Sequence, residues 1–136
     1  MVGPYCVIGP NVAIGANCWL QHHVTLQGPM HAGAGNKFYS YCSIGQQTQD
    51  LKHAGEPTYL EIGDENTFRE FVTVNRSTSG SGKTRIGSRG NFLAYSHIGH
   101  DCWPVLRARC KCCDRSKLLA PTSRHASGTD ARRRGK

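Results

Sequence analysis

Two histidines three residues apart, His97 and His100, stand in the string SHIGHD at residues 96–101, which closes on Asp101. An imidazole titrates near neutral pH, so either ring can take a proton from a hydroxyl or hold a substrate group. Asp101 can accept a hydrogen bond from an imidazole N–H and so set its tautomer. A second polar cluster, QDLKHAGEPT at residues 49–58, gathers Asp50, Lys52, His53 and Glu56 ahead of Pro57. A carboxylate and an amine held near a groove suit a polyhydroxylated, phosphate-bearing ligand. The plain alternatives are surface histidines without a role and a solvated loop.

Such residues need elements to place them, and the spacing of apolar residues supplies those elements. Steps of six from Val2 reach Val2, Ile8, Ile14, Leu20, Leu26, Ala32, Phe38 and Ile44. The phase resumes at Ile62, Phe68 and Val74, then at Ile86, Phe92 and Ile98. None of these positions is charged, and the next residue is Gly at eight of them. Four residues past each start comes a small or medium uncharged residue, such as Cys18, Val24, Asn36, Cys42, Asn66 and Val72. A period of six fits neither an α-helix nor a long alternating strand. It fits short flat segments joined by corners, three to a coil of eighteen residues, with coils stacked so that each buries its neighbour's face. This hexapeptide pattern resembles the left-handed parallel β-helix family, so the expected fold class is all-β. His97 closes one hexad and His100 is third in the next, so both should project outward near a corner.

Residues 50–61 and 80–85 interrupt the count with charge, Pro, Gly and Ser, and are expected to be loops thrown out from corners. The expected domain division is a β-helix over residues 1–103 and an irregular, disordered basic tail over 104–136. The break after Trp103 is abrupt and falls in mid-repeat, as a shifted reading frame or an unrelated fused end would make it. Charge follows the same division. The chain carries 17 Lys and Arg against 9 Asp and Glu. Residues 1–103 hold seven of each sign, whereas 104–136 hold ten basic and two acidic residues. The body therefore gives no electrostatic reason to bind nucleic acid. There is no long apolar run to span a membrane and no basic start followed by a leucine-rich stretch. The expected location is the cytoplasm, with reduced thiols.

Two decoys are set aside. SGSGKT at residues 79–84 imitates a phosphate-binding loop, but Ser77 stands where Gly is needed and the repeat resumes at Arg85, where a helix should begin. Of seven cysteines, Cys6, Cys18, Cys42 and Cys102 take the small corner position, where a thiol packs as a small hydrophobe. Cys110, Cys112 and Cys113, with His125, lack the spacing of a structural zinc site.

The loop string QDLKHAGEPT, the following EIGDENTFREFVTVNR and the string AYSHIGHDC resemble the acyl-carrier-protein-dependent UDP-N-acetylglucosamine O-acyltransferases of lipid A synthesis, over about residues 2–103. The resemblance implies a homotrimer with active sites between subunits. It implies transfer of an (R)-3-hydroxyacyl group from acyl carrier protein to the 3-hydroxyl of UDP-N-acetylglucosamine, the first step of that synthesis. His100 matches the family's general base and Asp101 its orienting partner. Asp50 matches the carboxylate on the sugar hydroxyls, and Gln49, Lys52 and His97 match substrate positions. No covalent enzyme intermediate, metal or cofactor is implied. Asn75 departs from the pattern, because the family has a substrate-contacting His there. The turns beyond Trp103 and a helical domain are absent, so half of the family's site is expected to be missing. The related N-acyltransferases fit the loop string less well. A gamma-carbonic-anhydrase-like hydratase using His22, His23, His97 and His100, and a non-catalytic truncated β-helix, are the competing readings.

Overall fold

The computed structural model describes residues 1–79 and 82–101. The expected tail over 104–136, Cys102, Trp103 and the cysteine cluster near Cys110 lie outside the described residues.

Thirteen short strands form in chain order: β1 (Val7–Ile8), β2 (Val12–Ile14), β3 (Trp19–Leu20), β4 (Thr25–Leu26), β5 (Met30–Ala32), β6 (Lys37–Phe38), β7 (Ser43–Gln46), β8 (Tyr59–Ile62), β9 (Thr67–Phe68), β10 (Thr73–Asn75), β11 (Lys83–Ile86), β12 (Asn91–Phe92) and β13 (His97–Ile98). Every third strand pairs in parallel. One sheet runs β1-β4-β7-β10-β13, a second β2-β5-β8-β11 and a third β3-β6-β9-β12. No described residue is helical. The three sheets are the faces of a left-handed parallel β-helix, the fold class expected from the hexads.

The register ties this architecture to the sequence. Ile8 pairs with Leu26 and Leu26 with Ile44, so the spacing is eighteen residues per coil. The next partner of Ile44 is Val74, thirty residues on, and that of Val74 is Ile98, twenty-four on. The second and third sheets make the same two jumps, from Ala32 to Ile62 to Ile86 and from Phe38 to Phe68 to Phe92. Two excursions of twelve and six extra residues account for these jumps. Both leave the corner between the first and second sheets, on adjacent coils. Strands β8 and β11 start at Tyr59 and Lys83, inside the stretches that interrupt the hexads.

Ten of the fourteen hexad positions are buried: Leu20, Leu26, Ala32, Phe38, Ile44, Ile62, Phe68, Val74, Ile86 and Ile98. Phe38, Phe68 and Phe92 stack through the core, with ring centroids 5.1 and 4.9 Å apart. The corner series is buried beside them, including Cys18, Val24, Cys42 and Val72. Asn36 and Asn66 form an internal amide ladder. Asn36 Nδ2 donates to the carbonyls of Gly33 and Gly63, and Asn66 N–H donates to Asn36 Oδ1. Val2 and Ile8 differ from expectation: they are 52% and 44% exposed, because their coil has a neighbour on one side only.

Sharp corners need backbone in the left-handed region. Tyr5, Asn11, Asn17, His23, Tyr41, Glu65, Phe71, Arg89, Tyr95 and Asp101 take φ between 55° and 63°, all in one phase of the repeat. Bulky residues adopt this conformation only when their surroundings impose it. Hydrogen bonds to the adjacent coil do so, as from Tyr41 N–H to the His23 carbonyl. Gly45 is a separate case within β7. Its φ is +81°, and a Cβ there would lie 2.1 Å from the Gln27 carbonyl oxygen.

Candidate active site

The corner that follows the five-stranded sheet is crossed after β7, after β10 and after β13. The first pass enters the loop that carries Asp50, the second carries Thr78, and the third reaches His100 and Asp101. Residues far apart in sequence meet because the ladder stacks their strands.

His100 Nδ1 lies 2.9 Å from Asp101 Oδ2 and 2.7 Å from Thr78 Oγ1. Its other nitrogen, Nε2, lies 4.0 Å from Asp50 Oδ2. The Thr78 N–H donates to Asp101 Oδ1 at 3.2 Å, and the Asp101 N–H donates to Thr84 Oγ1 at 3.1 Å. The hydroxyls of Thr48 and Thr78 meet at 3.1 Å, and the Asp50 N–H donates to Thr48 Oγ1 at 3.1 Å. His53 Nδ1 donates to the Thr78 carbonyl at 2.9 Å and lies 3.2 Å from Glu56 Oε2. Asp50 also accepts the Lys52 N–H on Oδ1 at 2.9 Å, the turn that aspartate favours.

The electrostatics support one protonation pattern. Partial burial pushes the Asp101 carboxyl up, but hydrogen bonds from His100 and Thr78 outweigh it and hold it below the usual aspartate value. Asp101 is therefore an anion near neutral pH, and an anion at Nδ1 favours the tautomer protonated there. The basic lone pair then sits on Nε2, on the side of Asp50. His97 is different. Partial burial pushes its pKa down, the neighbouring His100 adds to this, and its Nδ1 lies 2.7 Å from Thr73 Oγ1. A neutral imidazole at this place is a hydrogen-bonding group.

The structure brings Asp50, His100 and Asp101 together and leaves Gln49 and Lys52 exposed at the start of the same loop. Asn75 is buried, and its Nδ2 donates to the Gln47 carbonyl at 2.6 Å. Thr48, Thr78 and Thr84 were not among the candidates from sequence. Thr48 and Thr78 occupy the small corner position of the hexad, which the repeat assigns to packing. A hydroxyl at that position on the coils that bear the excursions was the available signal. Of the phosphate-loop decoy, Lys83 and Thr84 lie in strand β11, and Lys83 pairs with Glu61, which also holds Arg85 Nε at 3.1 Å. His22 and His23 face each other with Nδ1 atoms 2.9 Å apart. Rings stacked in the order His23, Tyr41, Phe71 and Tyr95 place them three coils from His97. At about 4.8 Å per coil, the two histidine pairs cannot meet in one chain. Among the described residues, no group of three or more His, Cys, Asp or Glu converges as a metal-binding set.

No protein-family model matches the chain. The chain is 52% identical over 101 residues, 74% of its length, to the acyl-[acyl-carrier-protein]–UDP-N-acetylglucosamine O-acyltransferase of Akkermansia muciniphila. It is 53% identical over 87 residues, 63% of its length, to that of Psychromonas ingrahamii. The solved UDP-N-acetylglucosamine O-acyltransferase of Moraxella catarrhalis superposes with a TM-score of 0.73 at 47% identity, over 75% of this chain and 40% of that one. The repeat body is similar in sequence and in coil stacking to UDP-N-acetylglucosamine O-acyltransferases. The chain spans 39% and 33% of the lengths of these two curated relatives. Solved O-acyltransferases from Acinetobacter baumannii, at a TM-score of 0.73 and 43% identity, and from Moraxella catarrhalis share the coil stacking described above. This similarity favours the acyltransferase reading over the metal hydratase.

Proposed function

We propose that the site serves acyl transfer from acyl carrier protein to the 3-hydroxyl of UDP-N-acetylglucosamine, with His100 as general base. The observation that carries this is the His100 ring itself, with Nδ1 on the Asp101 carboxylate and Nε2 toward Asp50. Asp50 holds the sugar hydroxyls beside Nε2. As the sugar oxygen attacks the thioester carbonyl, Nε2 takes its proton, a C–O bond forms and the C–S bond breaks. The proton then passes to the departing thiolate of the carrier. Asp101 orients the ring and stabilises the imidazolium formed in the transfer. His97, Lys52 and Gln49 supply further substrate contacts, and holding the two reactants side by side supplies much of the acceleration. In this reading the acyl group is an (R)-3-hydroxyacyl chain, the assembly is a homotrimer with sites between subunits, the compartment is the cytoplasm, and residues 1–103 act as one β-helical unit that carries the site.

The test is product formation from UDP-N-acetylglucosamine and an (R)-3-hydroxyacyl carrier protein, followed by mass spectrometry. His100→Ala should lower turnover by about 10²–10⁴-fold while the far-UV circular dichroism stays that of the parent. Equal turnover in that variant would remove His100 from the reaction.

A further inference from the structure

Thr78, which the sequence did not single out, stands among the hydrogen bonds of the site. It bonds through three of its own atoms and reaches four other residues: Oγ1 meets His100 Nδ1 and Thr48 Oγ1, N–H holds Asp101, and the carbonyl accepts from His53. The donor and acceptor can be assigned at the His100 ring. The Asp101 carboxylate can only accept, so the His100 Nδ1–H points at the Asp101 and Thr78 oxygens together. The Thr78 hydroxyl, having accepted from His100, has one proton left, for the Asp101 carboxylate or for Thr48 Oγ1. Thr48 in turn accepts the N–H of Asp50. The reverse assignment, with Thr78 donating to Nδ1, would set a nitrogen lone pair against a carboxylate oxygen at 2.9 Å.

We infer that Thr78 is a positioning residue, which fixes the His100 ring with Nε2 as proton acceptor and ties it to the loop that carries Asp50. This rests on the acyl-transfer reading for its purpose but not for its geometry. Thr78 touches no reacting atom. It acts through His100 and Asp101, on two adjacent coils whose strands are joined by the β10–β13 ladder.

The experiment is ¹⁵N nuclear magnetic resonance of the His100 ring at a pH where it is neutral, in the full chain and in Thr78→Val and Thr78→Ser. The parent should show Nδ1–H as the major tautomer. Valine keeps the shape of threonine at this half-buried corner and removes the hydroxyl, so the ratio of Nδ1–H to Nε2–H should fall about fivefold, one net hydrogen bond's worth. Serine should restore it. A parent ring that is mainly Nε2–H would overturn the inference without recourse to any variant. So would a Thr78→Val ring with the parent's ratio, or a Thr78→Ser ring that behaves like valine. Where turnover is measured, Thr78→Val should lower kcat about fivefold and leave KM for the sugar nucleotide nearly unchanged. The resonance readout stands on the apo chain, so an absence of turnover in the parent would count against the acyl-transfer reading and leave the role of Thr78 to the tautomer ratio.

Discussion

At the scale of single residues, burial decides what each thiol and imidazole can do. Cys42 is fully buried, and its Sγ lies 3.0 Å from the Arg69 carbonyl. Burial pushes its pKa up to about 11. The thiol is thus protonated and shielded in the folded state, and alkylating reagents at pH 8 should label it only after denaturant is added. Labelling of Cys42 in the native chain at the rate of a small-molecule thiol would contradict its placement. The linkage has a definite sign. The folded value lies above the unfolded one, so the contribution is complete below about pH 9 and is lost as pH rises toward 11. It is on the order of 3 kcal/mol. The Asn75 amide illustrates the opposite limit: its buried side chain is committed to the Gln47 carbonyl.

At the scale of elements, corners carry the specificity that the short strands lack. Asn66 replaces a core hydrophobe with an amide that takes the place of missing backbone pairing. Its Oδ1 accepts the Gly90 N–H at 2.8 Å and its Nδ2 donates to the Gly87 carbonyl at 2.9 Å. Asn66→Ala would leave those two groups without this partner and should cost about 3 kcal/mol. Denaturant unfolding should show a lowered midpoint with an unchanged slope, and a midpoint within error of the parent would mean that water replaces the amide at no cost. The six-residue rule made the strands, the core and the outward sense of His97 and His100 readable before any coordinates. It did not reveal Thr48 and Thr78, because a small corner residue reads the same whether it packs or bonds. Nor did it show that Val2 and Ile8 stay half in solvent, since periodicity marks a face and says nothing about whether a coil covers it.

At the scale of the whole molecule, each coil touches only its neighbours, so stability is distributed along one axis. The middle coils, around β7 and β10, are covered on both sides. The first coil is covered on one side and exposes Val2, Tyr5, Val7 and Ile8. Amide exchange should therefore be graded. The N–H groups of Val7 and Gly9 are bonded to the Val24 and Leu26 carbonyls and should exchange at least about tenfold faster than that of Ser43, bonded to Val72. Uniform protection across these amides would show instead that the coils open as one unit.

The two excursions leave and rejoin the prism at one edge, and the strand pairs above them resume their register, save for a one-residue shift where Asn75 faces Gln46. Lengthening such a detour adds only a slowly growing closure entropy, while the stack itself feels nothing. Recognition written into these detours is thereby uncoupled from the architecture that displays it, so what the molecule binds can drift through insertion and deletion while its spine stays unaltered.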